Sequence, residues 1–253
     1  IPANILLKEP LKLGAAMTER EFAEHIGKLA AQNKLYKTYI GCGWYDTVTP
    51  AVVQRNVFEN LVWYTSYTPY QAEISQGRLE ALLNFQTVIS DLTALPLANC
   101  SLLDEATAAA EAATMMYGLR SRAQQKAQSN VLFVDEEIFP QTLAVIRTRA
   151  IPQGMVVKVG SYKDLTFTPD IFGCIVQYPN NSGSIEDYRE FTEQAHAAGC
   201  KVAVAADILS LALLVPPGEW GADIAFGSSQ RLGTPMFYGG PSAAYFATRD
   251  EYK

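Results

Sequence analysis

From residue 130 onward the chain alternates short, continuously apolar runs with amphipathic segments, and this alternation constrains its fold more than any other feature. "NVLFVD", "MVVKVG", "IFGCIVQYPN", "KVAVAAD", "ADIAFG" and "AAYFAT" read as strands. "PQTLAVIRTRAI" and "IEDYREFTEQAHAAG", lying between them, read as helices. A strand that is apolar at every position leaves no face for water, so helices must cover the sheet on both sides. Strands separated by helical segments also suit parallel neighbours. The expectation is an α/β fold with a mostly parallel sheet and helices on both faces.

Upstream the pattern is less regular. Phe22, Ile26, Leu29 and Ala30 share helical spacing over 18–33, and Thr18 with Glu21 three later forms a capping-box pattern. Residues 36–76 are aromatic and proline-bearing, with a short helix expected near 51–61. From Gly77, the residues Leu79, Leu82, Leu83, Phe85, Val88, Ile89 and Leu92 share one face until Pro96 stops the helix. A longer helix is expected after "NCS", capped by Ser101 and Asp104 and running through "DEATAAAEAATMMYGLRSRAQQKA". These signals divide the chain into a helical and irregular segment over 1–76 and an α/β large domain over 77–253. "ILSLALLV", at 208–215, is a core segment by its length.

Composition narrows the function classes. The formal charge of -6 over 253 residues argues against a nucleic-acid or anionic-membrane binder. No apolar run approaches the roughly 20 residues a bilayer span requires. Cys42, Cys100, Cys174 and Cys200 form no C-x-x-C pair and have only His25 and His196 to join them, so neither a zinc site nor a disulfide framework is indicated. A reducing, cytoplasm-like compartment follows. The chain opens on Ile1 without a signal-type segment and runs to "DEYK", which reads as a piece of something longer.

Parallel sheets place ligands at the carboxyl ends of their strands. Four strand ends stand out: Asp135, the loop from Pro179 through Asn180 to Gly183, Asp207, and the stretch from Ser228 to Gln230. Asp135 reads as a loop or cap residue. Asp207 directly follows a six-residue apolar run, where an unpaired carboxylate is costly to bury. An aspartate there and a lysine 20-odd residues later suit pyridoxal phosphate, because the carboxylate keeps the pyridine nitrogen protonated and the lysine holds the aldehyde. The phosphate would rest on a helix N-terminus. Here Asp207, Asn180 and the helix start at Ser101 are in place, but Asp104 and Glu105 would repel a phosphate and no lysine lies between Lys201 and Lys253. The residues describe a cofactor-type fold that cannot hold the cofactor covalently.

"YTSYTPYQAEISQGRLEALLNFQTVISDLT" followed by "ANCSLLDEATAAAEA" resembles the amino-terminal half of the glycine decarboxylase P-proteins of the glycine cleavage system. "YIGCGWYDTVTPAVVQRNVFEN" and "PPGEWGADIAFGSSQRLGTPMFYGGPSAAYFA" resemble the same family, so the likeness runs along essentially the whole chain. It implies a fold-type I pyridoxal-phosphate architecture of two related halves, with the Schiff-base lysine in the carboxyl-terminal half. That half has His-Lys, four residues, proline and a Gly-Gly-Pro run. Aligned on Pro235 and Gly239-Gly240-Pro241, its lysine falls on Gln230 and its histidine on Ser229. The resemblance thus implies a structural half with no catalytic residue of its own and vestigial cofactor positions at Asp207, Ser101 and Asn180.

The family reaction decarboxylates glycine on pyridoxal phosphate and passes the aminomethyl group to the lipoyl arm of H protein. The implied partners are the lysine-bearing half, in the same chain or a separate subunit, the H protein, and a second copy of the intact protein. The compartment is the cytoplasm, or the mitochondrial matrix in a eukaryote. Tyr67, Tyr70 and Glu73 are candidates to line a cleft formed with the lysine-bearing half; packing between halves is the other reading of that stretch. This chain has "QAEISQG" where "QPEISQG" or "QPEVSQG" is usual, and "GCGWYD" for the more usual "GMGYYN", with Cys42 a small apolar filler.

Other classes fit less well. "GCG" at 41–43 lacks the third glycine of a dinucleotide fingerprint and follows no strand. A serine or cysteine hydrolase needs a histidine base, whereas His25 and His196 sit in helical patterns with charged neighbours and read as solvated. A purely structural or interaction module of a pyridoxal-phosphate-fold protein is the alternative from a different class.

Overall fold

The computed structural model describes residues 1–63, 68–240 and 242–253, so Tyr67 and Pro241 lie outside the described residues. Among these, seven strands form one sheet: β1 (Leu97–Ala98), β2 (Val131–Asp135), β3 (Val156–Gly160), β4 (Ile171–Tyr178), β5 (Lys201–Ala206), β6 (Ile224–Ser228) and β7 (Ala244–Thr248). Their order is β1-β7-β6-β5-β4-β2-β3. The five strands from β6 to β3 are mutually parallel. β7 runs antiparallel to β6, and the short β1 closes that edge antiparallel to β7. The helices are α1 (Glu19–Ala30), α2 (Ala51–Val53), α3 (Gln76–Thr93), α4 (Glu105–Gly118), α5 (Arg122–Lys126), α6 (Pro140–Ala150) and α7 (Arg189–Ala197).

Side-chain alternation along the strands divides the core in two. Val131 and Phe133 of β2 point to one face, with Ile89 of α3 and Phe191 of α7. Leu132 and Val134 point to the other, against α4 and α6. All eight residues of β4 are buried, which is why its sequence is an unbroken apolar run. The alanines of α4 (Ala108, Ala109, Ala112 and Ala113) are buried and let that helix lie close to the sheet. Close approach also explains Gly173: a Cβ there would sit 2.9 Å from Sδ of Met116.

Several expectations are corrected. The helix expected to continue to residue 127 breaks after Gly118, where Arg120 turns back to donate from Nε to the Tyr117 carbonyl (2.7 Å) and from Nη1 to that of Ser129 (2.8 Å). Ser121 and Gln124 then open α5 with a capping box of their own. Ser101 does not cap α4; Asp104 does, accepting from the Thr107 amide at 2.7 Å, while Ser101 is exposed. The 208–215 segment is only half core: Ile208 and Leu211 are buried but Leu213 is 92% exposed. His196 is exposed on its helix, as is His25, but it is not free of the core, since its Nε2 lies 2.8 Å from Oδ2 of buried Asp223.

The chain divides into two compact units, Ile1–Tyr39 and Ile40–Lys253. The described residues between 40 and 76 fall in the second unit, with the sheet. In the first unit the capping box of α1 forms as expected, with Glu21 Oε2 accepting from the Thr18 amide at 2.8 Å, and no residue of α1 is buried.

Candidate functional site

The carboxyl ends of β4, β5 and β6 surround a cavity of about 250 Å³. β4 delivers Gln177 and, after the cis peptide Tyr178–Pro179, Asn180. β5 delivers Asp207 and β6 delivers Ser228 and Arg231, while the start of α4 adds Glu105 and the loop before α2 adds Tyr45. The structure thus brings Asp207 and Asn180 together in one lining. It leaves Ser101 outside the lining and puts Glu105, at the start of α4, within it.

Asp207 is already paired. Nε of Arg231 lies 3.3 Å from its Oδ1 and 3.4 Å from its Oδ2. The guanidinium is stacked over the Tyr45 ring, 4.6 Å from the centroid, which holds it flat against the cavity. Arg231 and Tyr45 stood in the quoted motifs without a role. The signal for Arg231 was an arginine just past the end of one apolar strand, able to pair with the aspartate that ends another.

Gln230 is 2% exposed and faces away from the cavity lining. Its Nε2 donates to the Thr234 carbonyl (2.6 Å) and the Tyr45 carbonyl (3.3 Å), and its Oε1 has no hydrogen-bond partner among the described residues. Ser229 donates from Oγ to the Ala243 carbonyl at 2.7 Å. Thr47 and Thr49 donate to the carbonyls of Thr234 and Gly233. The segment 45–49 is therefore stitched to the turn that follows β6 through Thr47, Thr49 and Gln230.

Removal from solvent pushes the Glu105 carboxyl up to about 7, with the charge of Asp207 adding to it; the Ser228 amide opposes the shift and Asp104 reinforces it. Asp135 accepts from the amides of Glu137 (2.9 Å) and Tyr162 (2.8 Å), so it serves as a loop cap as expected. Tyr70, 85% exposed, and Glu73, also exposed, do not line the cavity.

The glycine cleavage system P-protein family matches over residues 1–253. Glycine dehydrogenase (decarboxylating) of Bacteroides fragilis is 77% identical over all of this chain, and that of Nostoc punctiforme is 56% identical. The chain spans only 27% and 25% of the length of those relatives. A crystal structure of glycine decarboxylase (P-protein) of the glycine cleavage system, in inhibitor-bound form, superposes with a TM-score of 0.84 at 34% identity, over 100% of this chain and 57% of that one. Cystathionine gamma-lyase from Lactobacillus plantarum, at 15% identity and a TM-score of 0.54 over 74% of this chain and 48% of its own, shares the fold alone. The architecture is that of fold-type I pyridoxal-phosphate enzymes, and the chain belongs to the glycine cleavage system P-protein family.

Proposed function

We propose that this chain is the lysine-lacking, structural half of a glycine decarboxylase. In the intact protein it packs with a lysine-bearing half that decarboxylates glycine and passes the aminomethyl group to the lipoyl arm of H protein. The observation that carries this reading is the state of the reactive position: Gln230 is buried and spends its amide on two backbone carbonyls. Pyridoxal phosphate does not fit the residues present here. Arg231 already neutralises Asp207, and Asp104 and Glu105 hold the helix end that a phosphate would need. Bound in the other half, the cofactor supplies the electron sink for loss of carbon dioxide.

What this chain adds is surface and scaffold. Tyr70 and Glu73 stand exposed, free to line a cleft with the lysine-bearing half, and Tyr67, outside the described residues, is assigned the same role. The intact protein is read as a homodimer of the cytoplasm, or of the mitochondrial matrix in a eukaryote. Among the described residues no helix is long and apolar enough to cross a membrane.

Borohydride reduction of the intact polypeptide loaded with pyridoxal phosphate, followed by peptide mapping, tests the reading. The pyridoxyl-lysine is expected outside residues 1–253, and the chain alone is expected to show no glycine–bicarbonate exchange. A pyridoxyl group on any lysine of this chain would overturn it.

A further inference from the structure

The cavity that does not suit the cofactor is still furnished for a ligand. Asn180 is 8% exposed and Gln177 is 3% exposed, and both line it. The orientation of each side-chain amide is fixed by what its oxygen accepts. Oδ1 of Asn180 takes the Ser184 amide at 2.8 Å and the Ser182 hydroxyl at 2.9 Å, and Oε1 of Gln177 takes the Phe139 amide at 2.9 Å. Nδ2 of Asn180 and Nε2 of Gln177 are thereby left as donors with no hydrogen bond to any described residue. The same holds for both Nη atoms of Arg231, which meets Asp207 through Nε alone. These donors line the cavity with no acceptor among the described residues, so a ligand entering it finds them available.

The acceptors are equally placed. Glu105 and Asp207 face the cavity and the one guanidinium there, that of Arg231, is paired with Asp207, which leaves one carboxylate in excess when both are ionised. A bare carboxylate would satisfy the amides and the guanidinium fork but would meet two like charges. A bare amine would satisfy the carboxylates but leave the fork and both amides unpaired. A phosphate would face Glu105 and Asp207 together. A ligand carrying an ammonium and a carboxylate on adjacent atoms answers both sets, and the volume of about 250 Å³ limits its side chain to a few atoms.

We infer that this cavity is a binding site for a small α-amino acid, whose carboxylate accepts from Arg231, Asn180 and Gln177 and whose ammonium donates to Glu105 and Asp207. The assignment goes beyond the proposed function and rests on the cavity's own donors and acceptors. Tyr45, stacked on Arg231 and tied through its carbonyl to Gln230, connects an occupied cavity to the 45–49 segment above it. The charged and titratable groups facing Glu105 are Asp104 on its own helix, Asp207 after β5 and Tyr245 of β7, with Arg231 on the far side of Asp207. Glu105 must be ionised to accept from an ammonium, so affinity rises with pH as that carboxyl loses its proton.

The test is calorimetric titration of the intact polypeptide with glycine, after borohydride has fixed any Schiff base elsewhere in the protein as a secondary amine that cannot exchange. One saturable site is expected, with acetate and methylamine, which each carry half of the zwitterion, binding at least about tenfold more weakly. Arg231→Met and Asp207→Asn should each weaken glycine at least about tenfold. Affinity should rise between about pH 6 and pH 8 in the parent protein and stay flat in Glu105→Gln. Should Arg231→Met fail to fold by circular dichroism, Arg231→Lys, which keeps the charge and loses the fork, is expected to weaken binding in its place. No saturable heat, acetate binding as tightly as glycine, or variants matching the parent would each overturn the inference. The mapping of the reduced lysine reads the proposed function separately, so the two can fail independently.

Discussion

Asp223 and Glu105 are both carboxylates shielded from water, and their surroundings drive them in opposite directions. Burial alone would raise Asp223, but hydrogen bonds from His196, the Val202 amide and the Tyr252 hydroxyl outweigh it and hold the carboxyl below its usual value. Its stabilisation is therefore complete above the unfolded carboxylate's value of about 3.9 and is lost as pH falls through the folded one. Asp223→Asn keeps the shape but not the charge and is expected to cost about 3 kcal/mol at neutral pH. The difference from the parent protein should shrink in denaturant titrations as the pH is lowered. Glu105 carries the opposite sign. With its folded value raised to about 7, it favours the fold below the unfolded value and loses that contribution as pH rises towards 7. Glu105→Gln should raise the melting temperature by a few degrees at about pH 8 and leave it nearly unchanged at about pH 4; a scan at both values checks it.

The strands and helices of the sheet unit were legible because they obey simple periodicities. The six apolar runs from 130 onward all appear as strands, β2 to β7. β1 was missed because a two-residue edge strand carries no pattern. The break between α4 and α5 was missed because alanine-rich and glutamine-rich sequence favours helix throughout, and only the pull of the Ser129 carbonyl on Arg120 decides where the turn falls. Gly227 shows what an element demands of one position. A Cβ there would collide with the backbone carbonyl of Ala206 and come within 2.8 Å of the Tyr245 ring, whose hydroxyl is bonded to that same carbonyl at 2.7 Å. The collision is with main chain, which cannot swing aside as a side chain could. Gly227→Ala is expected to destabilise the chain by about 3 kcal/mol, seen as a lowered urea midpoint.

On the scale of the whole molecule, the cavity is built by several elements. Arg231 after β6, Glu105 at the start of α4 and Tyr45 of the 45–49 segment all line it, and Thr47 ties that segment to the turn after β6. Restoring one residue therefore should not restore chemistry: Gln230→Lys mixed with pyridoxal phosphate is expected to develop no visible aldimine absorbance. The sequence by itself determined the α/β class, the two-faced cover of the sheet and the absence of any lysine between Lys201 and Lys253, because period and residue identity are local properties. Only the tertiary structure decided that Arg231 is the partner of Asp207, that Ser101 stands aside while Glu105 faces the cavity, and that His196 serves Asp223. Those pairings join residues 24 and 27 positions apart through strand ends that meet only once the sheet has formed, and charge complementarity across such a gap leaves no periodic trace in the chain.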